Sequence, residues 1–267
     1  MIKPTFQKMY SKILALVLSC MACLEIAAQE KKDGLFYLFD NADNQVTEAA
    51  KASYFINVRQ FNDTTWRYDY YHIVGPRMRT ETFKDEAGTQ PHGRFAFYNR
   101  FGYLDSVGEA FNGRRHGDWD YYSGDDSFKI VHTKTYNRGV LVEEWDHSDS
   151  ESEESSSGYV EPKFNGSFRK FLEKNLKYPK RAQSMGVANV VTVGFILDDK
   201  GIVIDPMVFR SLEYSLDHES ERVIGLSSGK WNPGLKNGKP VLTYHRQSIN
   251  FVLEEEPEPN TNNDRFP

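Results

Sequence analysis

Along the first half of the chain, apolar and polar positions alternate with a period of two. Tyr54, Ile56 and Val58 alternate with polar neighbours, and Trp66, Tyr68 and Tyr70 repeat the pattern. Alternation of this kind places one set of side chains on one face of a strand. Short runs bounded by Gly, Asn and Asp at this density predict an all-β region. Ahead of it, Leu35–Phe39 predicts a first strand. The Asp40-Asn41-Ala42-Asp43-Asn44 cluster predicts a turn, because it lacks the spacing and central Gly of a calcium-binding loop.

Beyond residue 160 the period lengthens. Phe168, Phe171, Leu172 and Leu176 recur at helical spacing behind Ser167, which predicts a short helix capped by that serine and stopped by Tyr178-Pro179. Pro179 opens a second helical turn ending near Gly186. The period returns to two at Val190–Leu197, with Val191, Val193, Phe195 and Leu197 on one face. An Asp198-Asp199-Lys200-Gly201 turn leads back through Ile202–Arg210, where Pro206 places that strand at a sheet edge or a bulge. Ser215 is the expected cap of a further helix, with Asp217 favouring its dipole and Leu216, Val223 and Ile224 facing inward. Trp231 is expected in the core. Turns at Pro233-Gly234 and Asn237-Gly238 precede a last strand over Val241–Leu253.

Inside the all-β region lies a repeat. His92-Gly93-Arg94-Phe95-Ala96-Phe97-Tyr98 recurs as His116-Gly117-Asp118-Trp119-Asp120-Tyr121-Tyr122, 24 residues on. Each unit reads as a Gly-marked turn and a strand with two aromatics on one face. Such a unit buries its aromatic face only by joining its neighbours. The pattern is similar to MORN-like repeats, which form hairpin arrays. His92 and His116 hold equivalent places, so their spacing reflects duplication, and no Cys or third His nearby completes a metal site. Asp118 and Asp120 flank Trp119 on the opposite strand face, a solvated pair rather than an acid–base couple.

The domain division expected from these patterns is a signal peptide at 1–29, an all-β repeat domain at 30–146, a linker at 147–160, an α+β domain at 161–254 and a disordered tail at 255–267. Lys3, Lys8 and Lys12 precede an apolar run, Ile13–Ala22, and a small-residue zone at Ile26-Ala27-Ala28, the pattern of a cleaved export signal. The only two cysteines, Cys20 and Cys23, fall inside it. Cleavage near Gln29 would leave no thiol, whereas a loose lipoprotein-box likeness at Val17-Leu18-Ser19-Cys20 would put a lipid on Cys20. Within the linker, His147 to Gly158 is rich in Ser, Glu and Asp and has no large apolar residue to bury.

Net charge is −5 over 267 residues. Without a basic stripe, a nucleic-acid partner is not expected, and the Arg77/Arg79 and Arg114-Arg115 pairs read as solvated surface. No phosphate loop, nucleophile elbow or metal cluster stands out, so no cofactor, no metal and no catalysis are expected.

The pieces from Phe164 to Leu253 resemble, in order, the C-terminal domain of TonB-type energy transducers of the Bacteroidetes type. They are Phe168-Arg169-Lys170-Phe171-Leu172, Asn175-Leu176-Lys177-Tyr178-Pro179, the Val190–Leu197 hairpin strand, Lys230-Trp231-Asn232-Pro233-Gly234, Asn237-Gly238-Lys239-Pro240-Val241 and Ile249-Asn250-Phe251. The resemblance implies short helices on a three-stranded antiparallel sheet. It also implies a last strand whose exposed edge accepts an extended segment of an outer-membrane receptor or other envelope protein by strand addition. Carried onto this chain, the partner-binding residues are Val241, Thr243, Tyr244, His245, Arg246, Gln247 and Ile249, with Tyr244–Gln247 interrupting the apolar pattern as a selective edge would.

A transducer of that family also carries a membrane anchor and a long Pro-rich span. Here the apolar run is short, and the linker has no proline and reaches only about 40 Å at full extension. The expectation is therefore an exported, non-enzymatic binding protein of the periplasm or cell surface. The alternatives are a true transducer with a retained anchor, and a secreted hydrolase with a dispersed site in a deep polar pocket.

Overall fold

The computed structural model describes residues 34–147 and 158–253. The signal segment, Cys20, most of the linker and the tail beyond Leu253 lie outside the described residues. Strands β1 (Leu35–Phe39), β2 (Gln45–Val46), β3 (Tyr54–Asn62), β4 (Thr65–His72), β5 (Arg77–Phe83), β6 (Pro91–Tyr98), β7 (Leu104–Phe111), β8 (Arg114–Tyr122), β9 (Ile130–Asn137) and β10 (Val140–Asp146) form one sheet. Its order is β10-β9-β8-β7-β6-β5-β4-β3-β1-β2, so from β3 onward each strand pairs with its neighbour in sequence. The Asp40 cluster is a turn, with Asp40 accepting from the main-chain N–H groups of Ala42 and Asn44.

The 24-residue repeat is a two-strand unit. Its copies are β6 and β8, separated by β7, and both glycines, Gly93 and Gly117, have positive φ. Within each copy, consecutive aromatics go to opposite faces. Phe97 and Trp119 pack together on one face, with Trp119 lying against the bare backbone of Gly108, where any Cβ would collide with the indole. On the other face Tyr98 and Tyr122 reach the second half of the chain: Tyr98 donates to the Val208 carbonyl (2.7 Å) and Tyr122 meets Phe209 edge-on.

That second half contains β11 (Tyr159–Val160), β12 (Lys163–Phe164), α1 (Phe168–Asn175), α2 (Lys180–Ser184), β13 (Asn189–Leu197), β14 (Val203–Arg210) and α3 (Tyr214–Leu226). Short strands β15 (Trp231–Asn232), β16 (Gly234–Lys236) and β17 (Lys239–Val241) lead into β18 (Thr243–Phe251). The main sheet here is three-stranded and antiparallel, β14-β13-β18. One face is covered by the helices through Val191, Val193, Phe195, Leu197, Ile249 and Phe251 against Leu216, Val223, Ile224 and Trp231. Ser167 caps α1 by accepting from the Lys170 N–H. The cap of α3 is Glu213 rather than Ser215: the Glu213 carboxylate accepts the Ser215 N–H, two residues before the position expected from hydroxyl preference alone. Pro206 sits in the edge strand β14, whose pairing with β13 is irregular.

The two halves do not stand apart. Phe209 and Met207 of β14 pack on Ala96, Tyr98 and Leu104 of the ten-stranded sheet. At the junction Ser211 N–H donates to the Gly102 carbonyl. A side chain at Gly102 would run into the Ser211 carbonyl and Pro76. Helix α3 is covered on two sides. Leu216, Ser220, Val223 and Ile224 are buried, the apolar three of them in the core of their own half. Tyr214, Asp217, His218 and Glu221 reach Phe55, Tyr71, Arg59 and Arg67 of the sheet. The molecule is mostly β-sheet with a few short helices. No described helix is long and apolar enough to cross a membrane.

Candidate functional site: the β18 edge and its setting

Strand β18 pairs with β13 without interruption, from Leu197↔Thr243 to Asn189↔Phe251. On its other side no strand is paired among the described residues. In an antiparallel ladder alternate residues aim N–H and C=O to opposite sides, so about half of the main-chain groups of β18 point outward. The opposite edge of the same sheet, β14, is tied down at its C-terminal end. A bridge between Tyr103 and Arg210 and the Ser211–Gly102 hydrogen bond tie it to the ten-stranded sheet.

The side chains of this edge are more committed than the sequence suggests. Val241 belongs to β17, opposite Gly234, and not to β18. Thr243 is buried and donates to the Val241 carbonyl. Tyr244 lies on the face toward the large sheet, half-exposed, with its ring near Phe209. His245 sits on the helix face between Phe195 (5.4 Å) and Trp231 (5.1 Å), and burial lowers its pKa, which keeps the imidazole neutral. Arg246 lies over Phe128 and donates to the carbonyls of Ser127 and Phe128, in the loop joining β8 and β9. Gln247 donates to the Ser248 carbonyl, and Ile249 is fully buried. The exposed positions are Leu242, Tyr244, Arg246, Ser248, Asn250 and Val252, which alternate along one face. What the edge offers outward is therefore main chain and a mixed face of apolar and polar side chains. Arg246 is exposed and also ties the two halves together.

Behind the edge, a buried charge cluster joins α3 to the large sheet. Arg67 donates to Asp69 (2.9 Å) and to Glu221 (3.1 Å). Arg59 reaches the same two carboxylates at 3.3 and 3.4 Å. Arg77, 1% exposed, donates through Nε to the Tyr71 hydroxyl (2.7 Å) and lies 3.4 Å from Glu221. This corrects the reading of Arg77 as solvated: its strand neighbour Arg79 stacks on Tyr70 and pairs with Glu81, while Arg77 points into the interface.

Burial would raise the pKa of Asp69 and Glu221, but Arg67, Arg77 and Arg59 outweigh it and hold both ionised. Asp217 goes the other way. Burial lifts it to about 7 against the pull of Arg77 and of hydrogen bonds from Ser211, Leu212 N–H and Tyr71. Its expected role at the helix dipole is secondary to this buried setting. His218 is pushed down to about 3 by burial and by Arg59, whose guanidinium faces Nδ1.

Nothing local in the sequence marks this cluster. Arg67, Asp69 and Tyr71 alternate with Trp66, Tyr68 and Tyr70, the pattern of a strand with one wet face. The only usable trace is on α3, where Tyr214, Asp217, His218 and Glu221 recur at helical spacing and form a second stripe. Asp205 and Arg210 of β14 also have partners across the interface: Asp205 is clasped by Arg94 and Arg210 lies over Tyr103. Among the described residues, no group of three or more His, Cys, Asp or Glu side chains is arranged to hold a metal.

Compared with known proteins, residues 174–253 match the family model described as Gram-negative bacterial TonB protein C-terminal. Two solved structures of the Helicobacter pylori TonB C-terminal domain, spanning its residues 179–285 and 194–285, are similar at 23% identity. Each covers 33% of this chain, and 78% and 91% of their own lengths respectively, with a TM-score of 0.26. No curated protein matches the chain. The matched stretch runs from the end of α1 through β18, so the unpaired edge lies inside a region of TonB C-terminal type.

Proposed function

We propose that this chain is an exported, non-enzymatic protein of the periplasm or cell surface that binds an extended protein segment along the free edge of β18. The candidate partner is an outer-membrane receptor or another envelope protein. The observation that carries this reading is the asymmetry of the small sheet: β14 is tied to the ten-stranded sheet, while among the described residues the outward main chain of β18, within the TonB C-terminal-type region, pairs with no strand. Strand addition takes affinity from main-chain hydrogen bonds and selectivity from alternate side chains. The exposed side chains at Leu242, Tyr244, Arg246, Ser248, Asn250 and Val252 would supply that selectivity.

Proline at adjacent strand positions separates edge binding from folding. Of Gln247 and Ser248, one N–H faces β13 and the other faces outward, and proline removes a donor without adding another. The variant that loses the inward donor is expected to be destabilised. The variant that loses the outward donor is expected to keep the wild-type circular dichroism and melting temperature. That second variant should capture its envelope partner roughly tenfold less well, from one lost hydrogen bond and the steric conflict of the ring. Undiminished capture by both folded variants would overturn the reading.

A further inference from the structure

A cavity of about 190 Å³ lies between the ten-stranded sheet and β14. Its walls include Phe61, Ala96, Pro206 and Met207, with Thr65 and Arg67 as polar members. It is larger than the roughly 150 Å³ apolar cavity that accommodates benzene. Three features mark it as a built site rather than a packing gap.

The first is an unpaired donor. The hydroxyl of Thr65 is buried and has no hydrogen-bond partner among the described residues, a costly state for a polar group with nothing to serve. The second is Arg67. Its Nε is committed to Asp69 and its Nη2 to Glu221, but Nη1 has no hydrogen-bond partner among the described residues. The third is the wall opposite. Asp205 holds a positive φ of 57° directly before Pro206, a strained conformation for a non-glycine residue. The Arg94 guanidinium grips both Asp205 carboxylate oxygens from β6. Strain fixed in place this way keeps Pro206 and Met207 at the cavity wall.

Charge decides the kind of ligand. Arg59, Arg67 and Arg77 face two carboxylates held ionised, Asp69 and Glu221, and the third acid, Asp217, is lifted to about 7 by burial. Arg94 and Asp205 neutralise each other. The buried cluster therefore carries excess positive charge at and below neutral pH, and Arg67 presents it to the cavity.

We propose that this cavity binds a small carboxylic acid with an aromatic or alicyclic body. The carboxylate accepts from Arg67 Nη1 and the Thr65 hydroxyl, and the ring packs on Met207, Pro206 and Ala96. Such a ligand touches both halves of the molecule at once and so stabilises their packing.

The test uses benzoate as the probe and benzamide as its neutral counterpart, followed by calorimetry and thermal unfolding on the full chain. Benzoate is expected to bind one site in the millimolar range or tighter and to raise the melting temperature, with benzamide at least about tenfold weaker, the loss of a charge-assisted hydrogen bond. Thr65→Val should weaken benzoate roughly fivefold, one neutral hydrogen bond, without lowering the melting temperature of the free protein. Met207→Trp should fill the cavity and abolish binding. If Met207→Trp does not fold, Ala96→Leu serves as the second filler. No saturable benzoate binding, equal binding of benzamide, or undiminished binding to Thr65→Val and a folded filler variant would each overturn the proposal.

Discussion

Replacing Arg77 with methionine is expected to lower the stability of the protein by about 3–5 kcal/mol, the cost of removing one partner from a buried ion cluster. Methionine matches much of the volume, so the loss comes from what is left behind. Tyr71 loses the Nε donor at 2.7 Å, and Glu221 and Asp69 lose a cation at 3.4 and 3.8 Å. The guanidinium also leaves its place over the rings of Tyr71 and Tyr98. Because the cluster spans β3, β4, β5 and α3, the same change should loosen the two halves from each other. In urea, the parent protein is expected to unfold in one transition seen alike in two variants that keep only Trp119 or only Trp231 of the four tryptophans. Arg77→Met should separate the two. A loss below about 1 kcal/mol, typical of an exposed pair, would show that Arg77 is not buried as described.

The second large effect is on pH dependence. Asp217, lifted to about 7, keeps in the folded state a proton that the unfolded chain gives up near its ordinary value of 3.8. Stability contributed by this group therefore falls as pH rises from about 4 to 7. The full shift corresponds to a penalty on the order of 4 kcal/mol above that window. His218, depressed to about 3, does the opposite. The unfolded chain binds a proton below its ordinary 6.5 and the folded protein does not, so stability falls as pH drops from 6.5 toward 3.

Across the shared window the two slopes cancel, and the wild type should be nearly flat. Asp217→Asn removes one slope while keeping groups that can hydrogen-bond Tyr71, Ser211 and the Leu212 N–H; its stability should rise from pH 4 to 6.5. His218→Gln removes the other, and its stability should fall from pH 4 to 7. Each slope approaches about 1.4 kcal/mol per pH unit at most. Glu221, lowered to about 2, adds stability that is lost only below 4.5 and lies largely outside this window. Denaturant midpoints for the three proteins at half-unit pH intervals check this. Parallel curves would contradict it.

Much of the second half was legible from residue spacing. Val191, Val193, Phe195 and Leu197 enter the core as alternation requires, and Phe168, Phe171, Leu172 and Leu176 pack against it at helical spacing. Trp231 is buried among Phe164, Phe168 and Phe195 as expected. The strands of the first half were legible for the same reason. The repeat at His92 and His116 marked two equivalent strands, while the intervening β7 that makes the unit two-stranded did not show in the repeat.

The interface between the halves was not legible, and the reason is physical. A strand whose alternate positions are Arg67, Asp69 and Tyr71 carries the same pattern whether that face meets water or a charged helix. Only the pairing of residues 59–77 with 217–221, more than a hundred positions apart, distinguishes the two. The edge strand suffered the same ambiguity. Arg246 and His245 both interrupt an apolar run, yet Arg246 stays exposed while donating to the Ser127 and Phe128 carbonyls, and His245 is packed on Trp231. The unpaired main chain beside them depends on topology, and spacing alone cannot report which edge of a three-stranded sheet is tied down.

The central claim is that the free edge of β18 receives an extended segment, and photo-crosslinking in the cell envelope tests it most directly. A photoreactive residue is placed in turn at Leu242, Ser248, Asn250 and Val252, with exposed Glu86 on the far sheet as the control position. Strand addition predicts cross-links from Ser248 and Asn250 to one segment of one partner, displaced along it by two residues in step with the strand, and none from Glu86. Cross-links without that register, or no more at β18 than at Glu86, would contradict it.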